Sequence, residues 1–420
     1  MIKQAEKVIL ASNLLEPNIM KPISFRDQLT FKNSILGVQF LFVAFGATVL
    51  VPLLVGIDPA VALFTAGIGT LLFHLITKGQ VPVFLGSSFA FIAPIIEATR
   101  LFGWPGTLSG IIAVGIVYGI VSAIIKARGL KFVERLFPSV VVGPVIMIIG
   151  LSLATAAVDM AKTNWILAVT TLSIAILVII LGKGMIKLIP IFIAISVAYI
   201  VAVIWGKVDF TAIQESAWFS LPAFTTPKFS WQAILYMIPV AIAPIIEHVG
   251  DMYAIGGGCD KNFVEKPGLH RTLLGDGIAT ALAGFFGGVP NTTYSEITGA
   301  ILLTKITNPF ILRIAAITAI VFAFIGKISG FLKTIPQSIL GGIMLLLFGM
   351  IASIGIKTLI DSKTNLAETR NQVIVSVVLT IGIGGAIIQY GSFSLAGIGL
   401  AATVGIILNL VLPKTKVGEA

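Results

Sequence analysis

Charge is scarce in this sequence. Of 420 residues only 11% are Asp, Glu, Lys or Arg, while 57% are hydrophobic. A soluble globular chain carries about 25% charged residues. A water-facing surface cannot be assembled from so little charge, which excludes a soluble enzyme, a nucleic-acid-binding domain and a disordered chain. Cysteine is nearly absent. The single Cys259 rules out an intramolecular disulfide framework and any CxxC metal site. Nucleotide and metal motifs are missing too. Ile255-Gly256-Gly257-Gly258 lacks GxGxxG spacing, Gly182-Lys183-Gly184 is not a Walker A loop, and neither HExxH nor GxSxG occurs. No metal and no cofactor are expected, the chain is not read as an enzyme, and without a nucleotide loop it is not a primary pump by itself. The first 33 residues have no apolar stretch followed by a small-residue cleavage site, so no cleaved signal peptide is expected.

What is present is apolar length, which predicts an all-α polytopic membrane protein. At about 20 residues per span, the apolar runs divide into fourteen transmembrane segments. The first seven lie near 35–54, 59–77, 81–96, 107–126, 138–157, 165–181 and 186–205. A polar loop, 206–230, separates them from seven more, near 231–255, 272–288, 289–303, 309–325, 335–354, 371–390 and 395–412. The third and tenth are short and broken by proline. The 43 glycines fit close helix packing in lipid.

The basic residues orient this arrangement. Fourteen spans put both termini on one side, and the tails and alternate loops of that side hold about 21 of the 28 Lys and Arg. They include the cluster Lys126, Arg128, Lys131 and Arg135; Arg313 falls inside a span. Both termini are therefore expected to be cytoplasmic. The net charge of +10 is explained by orientation rather than by nucleic acid.

An internal repeat accompanies the two halves. Gly67-Ile68-Gly69-Thr70 precedes Val81-Pro82 and then Gly86-Ser87-Ser88-Phe89-Ala90-Phe91. Gly277-Ile278-Ala279-Thr280 precedes Val289-Pro290 and then Asn291-Thr292-Thr293-Tyr294-Ser295-Glu296. Seven spans per repeat is an odd number, so the halves are expected to be inverted, as in transporters that bind substrate at the bilayer midplane. The prolines remove helix hydrogen bonds. Backbone freed at membrane depth is tolerated only inside protein or along a cavity. Residues 87–91 and 291–294 are therefore expected to be unwound stretches facing each other, each leading into a half-helix whose N-terminus points at a ligand.

Acidic residues inside the apolar spans are the candidate site. Glu247, Asp251 and Glu296 sit there, and an ionisable group at mid-membrane is a functional hypothesis by default. Glu247 and Asp251 are four apart and share one helix face. Three carboxyls in one cavity cannot all be comfortably charged, so at least one is expected to hold a proton, which a proton-coupled site requires. Asp251 either touches the ligand or orients Glu247. Phe89 and Tyr294 are either packing aromatics or a stacking surface for a flat ligand. Glu97 and Asp276 are read as cap or interface residues, and His248 and His74 as packed or hydrogen-bonded histidines rather than ligand contacts.

These residues carry a family resemblance. Phe45-Gly46-Ala47-Thr48-Val49-Leu50-Val51-Pro52, Leu85-Gly86-Ser87-Ser88-Phe89-Ala90-Phe91, Glu247-His248-Val249-Gly250, Pro267-Gly268-Leu269-His270-Arg271 and Pro290-Asn291-Thr292-Thr293-Tyr294 with Glu296 stand in order across residues 31–412. The chain resembles the nucleobase–ascorbate transporters (nucleobase–cation symporter 2), and within them the bacterial uracil and xanthine permeases. The resemblance implies fourteen transmembrane segments in two inverted seven-segment repeats, with segments 3 and 10 broken by short antiparallel strands. It implies a cytoplasmic segment 1–34, a core domain of 35–127 and 231–327, a gate domain of 128–206 and 328–412, an extracytoplasmic loop 207–230 and a cytoplasmic tail 413–420. It implies a homodimer formed through the gate, and a base held between core and gate. Glu247 and Glu296 would accept from ring N–H groups, and the backbone near Phe89 and at Ser295 would meet the base edges.

Three positions depart from the uracil-permease pattern. Asp251 replaces a histidine and is similar to purine members, Ser295 replaces a glycine, and Phe40 replaces a first-span histidine. The expectation is proton-coupled import of a nucleobase across the cell membrane, uracil first and xanthine or another purine second. Glu247 would anchor the base, Glu296 would bind it and carry the proton, and Asp251 would support Glu247 or share the proton. Two other classes remain. An anion transporter or channel of the same seven-plus-seven fold would lack embedded carboxylates. A membrane-embedded prenyl or lipid transferase would carry paired aspartate motifs, and none occur.

Overall fold

The computed structural model of the chain describes residues 30–129, 138–390 and 393–413. Lys131, Arg135 and most of the two terminal segments lie outside the described residues.

The first helix, α1 (Phe31–Val55), starts where Thr30 Oγ1 accepts from the Asn33 N–H at 3.2 Å and stops at Gly56. α2 (Pro59–Ile76) starts on proline, whose missing N–H costs nothing at that position, under an Asp58 cap. The chain then leaves helical geometry. It forms a three-residue strand, β1 (Leu85–Ser87), and a single 3₁₀ turn (Phe89–Phe91) before α3 (Ile92–Arg128). α3 is two helices joined across a kink at Gly103, where φ is +70° and Pro105 follows. Only glycine takes that backbone cheaply.

Four helices follow: α4 (Ser139–Leu151), α5 (Ala154–Lys162), α6 (Trp165–Leu181) and α7 (Pro190–Ile204). A connection with one short helix, α8 (Thr211–Glu215), leads to α9 (Trp231–Met237), α10 (Ile242–Cys259) and α11 (Leu269–Phe286). The second strand, β2 (Asn291–Thr293), runs directly into α12 (Ser295–Thr304), and α13 (Pro309–Ala323), α14 (Gly326–Lys333), α15 (Gln337–Asp361) and α16 (Thr369–Ile383) come next. A two-stranded hairpin, β3 (Ile387–Tyr390) with β4 (Phe393–Ala396), and α17 (Gly397–Val411) complete the described chain.

Among the described residues, six helical stretches are long and apolar enough to cross a membrane, and α6, α7, α13, α16 and α17 are shorter apolar helices. The outer faces agree. On α6 the exposed side chains include Ile166, Val169, Leu177 and Ile180. Water disfavours such a face, whereas lipid tails are as apolar as leucine.

The two halves interlock through the repeated motif. α13 packs on α2 and α11 packs on α3. A Cβ at Gly67 would lie 2.5 Å from Ala316 O, and one at Gly277 would lie 2.8 Å from Gly115 O. Each repeated glycine thus lets its helix touch backbone of the opposite half. The threonines three residues on also match. Leu85 N–H donates to Thr70 Oγ1 at 2.9 Å, and Thr280 Oγ1 donates to Asn291 O at 2.8 Å. Each threonine grips the first residue of the strand in its own half. Elsewhere α15 packs on α4, α5 and α6, and α16 and α17 pack on α4 and on each other.

The connections sort by side. Asp58, between α1 and α2, accepts from Ser329 Oγ at 2.5 Å and from Ala223 N–H at 3.3 Å, so the connections around 58, 223 and 329 meet at one end. Ser122, near the end of α3, donates to His270 O at the start of α11.

Features of the second half differ from the sequence expectation. The apolar runs 371–390 and 395–412 are not helical throughout: α16 ends at Ile383, and β3 and β4 occupy Ile387–Tyr390 and Phe393–Ala396. Gly384 and Gly385, the latter at φ +63°, stop the helix, and the β-branched and aromatic Ile387–Tyr390 stretch favours extended backbone. α14, between the expected eleventh and twelfth spans, is an additional short helix that packs on α8. Lys327 Nζ, from α14, donates to Ile213 O at 2.6 Å.

Candidate functional site

β1 and β2 pair antiparallel at the centre of the molecule, with Leu85 opposite Thr293, Gly86 opposite Thr292 and Ser87 opposite Asn291. The Ser88 N–H extends the ladder to Pro290 O at 2.9 Å. The unwound stretches therefore do face each other, but with a shift in the first half. The strand begins at Leu85, and Phe89–Phe91 already turns as a 3₁₀ helix. Three paired residues on each side satisfy the backbone that the prolines freed, which membrane depth requires.

Side chains stitch the pair to both halves. Tyr294 OH donates to Ser87 O at 3.0 Å and accepts from Thr48 Oγ1 at 3.2 Å, while Ser87 Oγ donates to Thr48 O at 3.0 Å. The Asn291 amide reaches across to Thr65 O at 3.1 Å. The Tyr294 ring lies over Gly86, where an added Cβ would come within 2.5 Å of it. Its hydroxyl is thus committed to the scaffold, and only its ring remains as cavity wall.

A cavity of about 120 Å³ opens beside the strands. One wall holds Ser88, Phe89, Ala90, Ala243, Glu247, Thr292, Thr293, Tyr294 and Glu296. The opposite wall is aliphatic, with Ile146 and Ile149 of α4 and Leu347, Met350, Ile351 and Ile354 of α15. Two helix starts meet the polar wall. Ser88 precedes the Phe89 turn and Tyr294 precedes α12, both with extended backbone and no side-chain cap. The first amides of a helix carry partial positive charge and lack intrahelical acceptors. The arrangement offers two carboxylates, two sets of helix-start amides and an aromatic edge, facing a greasy lid.

The structure brings Phe89, Glu247, Tyr294 and Glu296 to this cavity. Ser295 is the first residue of α12; its side chain lies outside the described residues. Asp251 is buried one helical turn beyond Glu247 and is not among the wall residues. Phe40 is buried in α1, packed in the core. Glu97 pairs with Arg100 at 2.5 Å, away from the cavity. Arg313, the basic residue within a span, donates from Nε to His74 Nδ1 at 3.3 Å, and His74 Nε2 lies 2.9 Å from Val83 O, just ahead of β1.

Asp276 does more than cap a helix or line an interface. Its side chain is fully buried, its Oδ2 lies 2.9 Å from His248 Nδ1, and it accepts from the Thr293 N–H at 3.3 Å. His248 Nε2 lies 2.9 Å from Thr272 Oγ1. This network ties α10 and α11 to the rear of β2, directly behind the wall that carries Glu247. A signal for it exists in the repeat. Asp276 precedes Gly277, and the matching residue before Gly67 is Ala66. One half thus spends a carboxyl where the other has a methyl group. No group of three or more His, Cys, Asp or Glu placed to hold a metal occurs among the described residues.

Known proteins are similar to this chain in sequence and in fold. Residues 31–390 match the model of a family described as Permease family. A probable uracil permease of Haemophilus influenzae is 50% identical over 412 residues, covering 95% of this chain and 99% of that protein. A uracil permease of Bacillus caldolyticus is 45% identical over 394 residues, covering 90% of this chain and 91% of that one. Among solved structures, the murine Slc26a9 anion transporter in the inward-facing state superposes with a TM-score of 0.69 at 10% identity, over 96% of this chain and 74% of that one. At that identity the likeness shows the fold alone.

Proposed function

The chain belongs to the permease family, and on that premise we propose that it imports uracil across the cell membrane, driven by protons. It is a multi-pass membrane transporter and not an enzyme. The observation that carries the reading is the pair Glu247 and Glu296 on one wall of a central cavity, in a chain half identical to a probable uracil permease. Uracil presents ring N–H donors beside C=O acceptors. Ionised carboxylates only accept, so each suits an N–H, and the helix-start amides suit a carbonyl. A buried polar group left unpaired on either partner is costly, which makes such a match selective.

In this reading the chain crosses the bilayer fourteen times as two inverted repeats, with both termini cytoplasmic. The core domain (35–127 and 231–327) carries the strands and carboxylates. The gate domain (128–206 and 328–412) supplies the aliphatic wall, and two copies associate through it. The matched roles of Gly67 with Gly277 and Thr70 with Thr280 support the repeat. The packing of α15 on α4, α5 and α6 supports the gate. Glu247 anchors the base, Glu296 binds it and carries the coupling proton, and Asp251 supports Glu247. Phe89 and the Tyr294 ring flank the plane of the base, and the Ser295 backbone meets its edge.

A thermal-shift screen of purified protein tests the substrate class. A ligand that binds only the folded state raises the melting temperature. Uracil is expected to raise it, xanthine to raise it less, and bicarbonate, chloride and sulfate to leave it unchanged. A shift with xanthine and none with uracil would reassign the substrate to the purines. A shift with anions alone would overturn the nucleobase reading.

A further inference from the structure

Strand β2 carries three polar side chains in a row, and a strand turns successive side chains to opposite faces. Asn291 and Thr293 share one face and bond to the packed rear, although Thr293 also contributes to the cavity lining. The Asn291 amide donates to Thr65 O there, and Thr293 Oγ1 lies 3.3 Å from Asp276 Oδ1 and 3.3 Å from His248 Nδ1. Thr292 takes the other face. It is 5% exposed and lines the cavity. Its hydroxyl is shielded from solvent and has no hydrogen-bond partner among the described residues. The residue opposite it in the ladder, Gly86, brings no side chain that could serve it.

The large majority of buried side-chain polar atoms in proteins are hydrogen-bonded, so an orphan hydroxyl on a residue of the cavity wall calls for an explanation. The chemistry of the wall supplies one. Ionised carboxylates accept and do not donate, so Glu247 and Glu296 in their charged form satisfy ring N–H groups but no carbonyl. A hydroxyl both donates and accepts, and a threonine exchanges its hydroxyl and methyl positions by one step in χ1. We propose that Thr292 is a specificity-determining residue of the site, whose hydroxyl donates to a carbonyl oxygen of the bound base. The proposal rests on the nucleobase reading. It adds a hydroxyl, beside that of Ser88, to a wall whose charged groups are the carboxyls Glu247 and Glu296.

The test is equilibrium binding of radiolabelled uracil to full-length purified protein, with 2-thiouracil and 4-thiouracil as competitors. Wild type, Thr292→Val and Thr292→Ser are compared. Valine keeps the shape and removes the donor, and is expected to weaken uracil binding about tenfold; serine keeps the donor and stays within about twofold. Sulfur is a poor acceptor. The thio analogue substituted at the contacted position should therefore bind wild type more weakly than uracil does, and lose little more in Thr292→Val. Melting temperatures of ligand-free protein are recorded alongside. If Thr292→Val lowers them, Thr292→Cys, of similar size and a weak donor, takes its place with the same expectation. Equal uracil affinity in wild type and the donor-less variant would overturn the proposal and leave the nucleobase reading standing. Equal losses for uracil and both thio analogues would also overturn it, since a packing change acts on all three alike. Absence of uracil binding by wild type would overturn the nucleobase reading itself.

Discussion

Glu296→Gln is expected to abolish uracil accumulation in proteoliposomes while leaving a folded protein. Glu296 sits in the first turn of α12, on the cavity wall, where the strand pair ends. A carboxylate there is favoured by the helix dipole but sits at membrane depth, where an unpaired charge is expensive. In the proposed cycle, occupancy of the site by base and by proton is linked: the carboxyl would cross with its charge neutralised and be reset when the proton leaves. Glutamine is close to the same size and cannot take up or release a proton. Folding rests on contacts that the substitution does not touch, including the β1–β2 ladder and the Tyr294 bonds to Thr48 and Ser87. Accumulation is expected to fall to the level of empty vesicles, with an unchanged gel-filtration profile. Wild-type accumulation by Glu296→Gln would remove the residue from the coupling role.

The second large effect is expected at Glu247. Glu247→Gln should weaken uracil binding about a hundredfold, roughly 3 kcal/mol, in equilibrium binding. Hydrogen bonds to charged groups are worth about 1.5–3 kcal/mol, and an amide can turn an N–H toward the ring N–H that the carboxylate accepted. Glu247→Asp retracts the carboxylate by one methylene and should recover part of the affinity, because the charge survives while the reach does not. The His248–Asp276 pair behind the helix is untouched by either change, so the ligand-free melting temperature should stay within a few degrees. Unaltered uracil affinity in Glu247→Gln would show that the anchor lies elsewhere on the wall.

Much of this architecture is legible before any coordinates, and the parts that are not have physical causes. Apolar run length marks the spans because lipid demands it. The broken segments show through proline and the repeated Gly-Ile-x-Thr string, since a bilayer forces freed backbone toward a cavity. The acids of the site stand out for the same reason, as so few others lie in apolar stretches. Asp276 is harder to read. Its distance from the expected start of its span, 272, made it resemble a terminal residue, whereas α11 begins at Leu269 and places it two turns in. Its partners, His248 and Thr293, come from elements 28 and 17 residues away, and no periodicity connects them. The strands 387–390 and 393–396 hide because Ile, Leu and Phe serve a buried helix and a strand equally well in composition. Only the Gly384-Gly385 pair marks the boundary. Thr292 is invisible for a further reason. In Asn-Thr-Thr-Tyr the two threonines look alike, and only the fold shows that Thr293 bonds to Asp276 while the Thr292 hydroxyl, on the other face of the strand, has no partner among the described residues.

The central claim, that protons drive uracil through this site, meets its most direct test in proteoliposomes holding the wild-type protein under an imposed pH gradient, acidic outside. Labelled uracil should accumulate above the external concentration and leak back when a protonophore collapses the gradient, with sodium neither required nor sufficient. Accumulation that a sodium gradient sustains with the pH equal on both sides, or that survives the protonophore, would contradict the account.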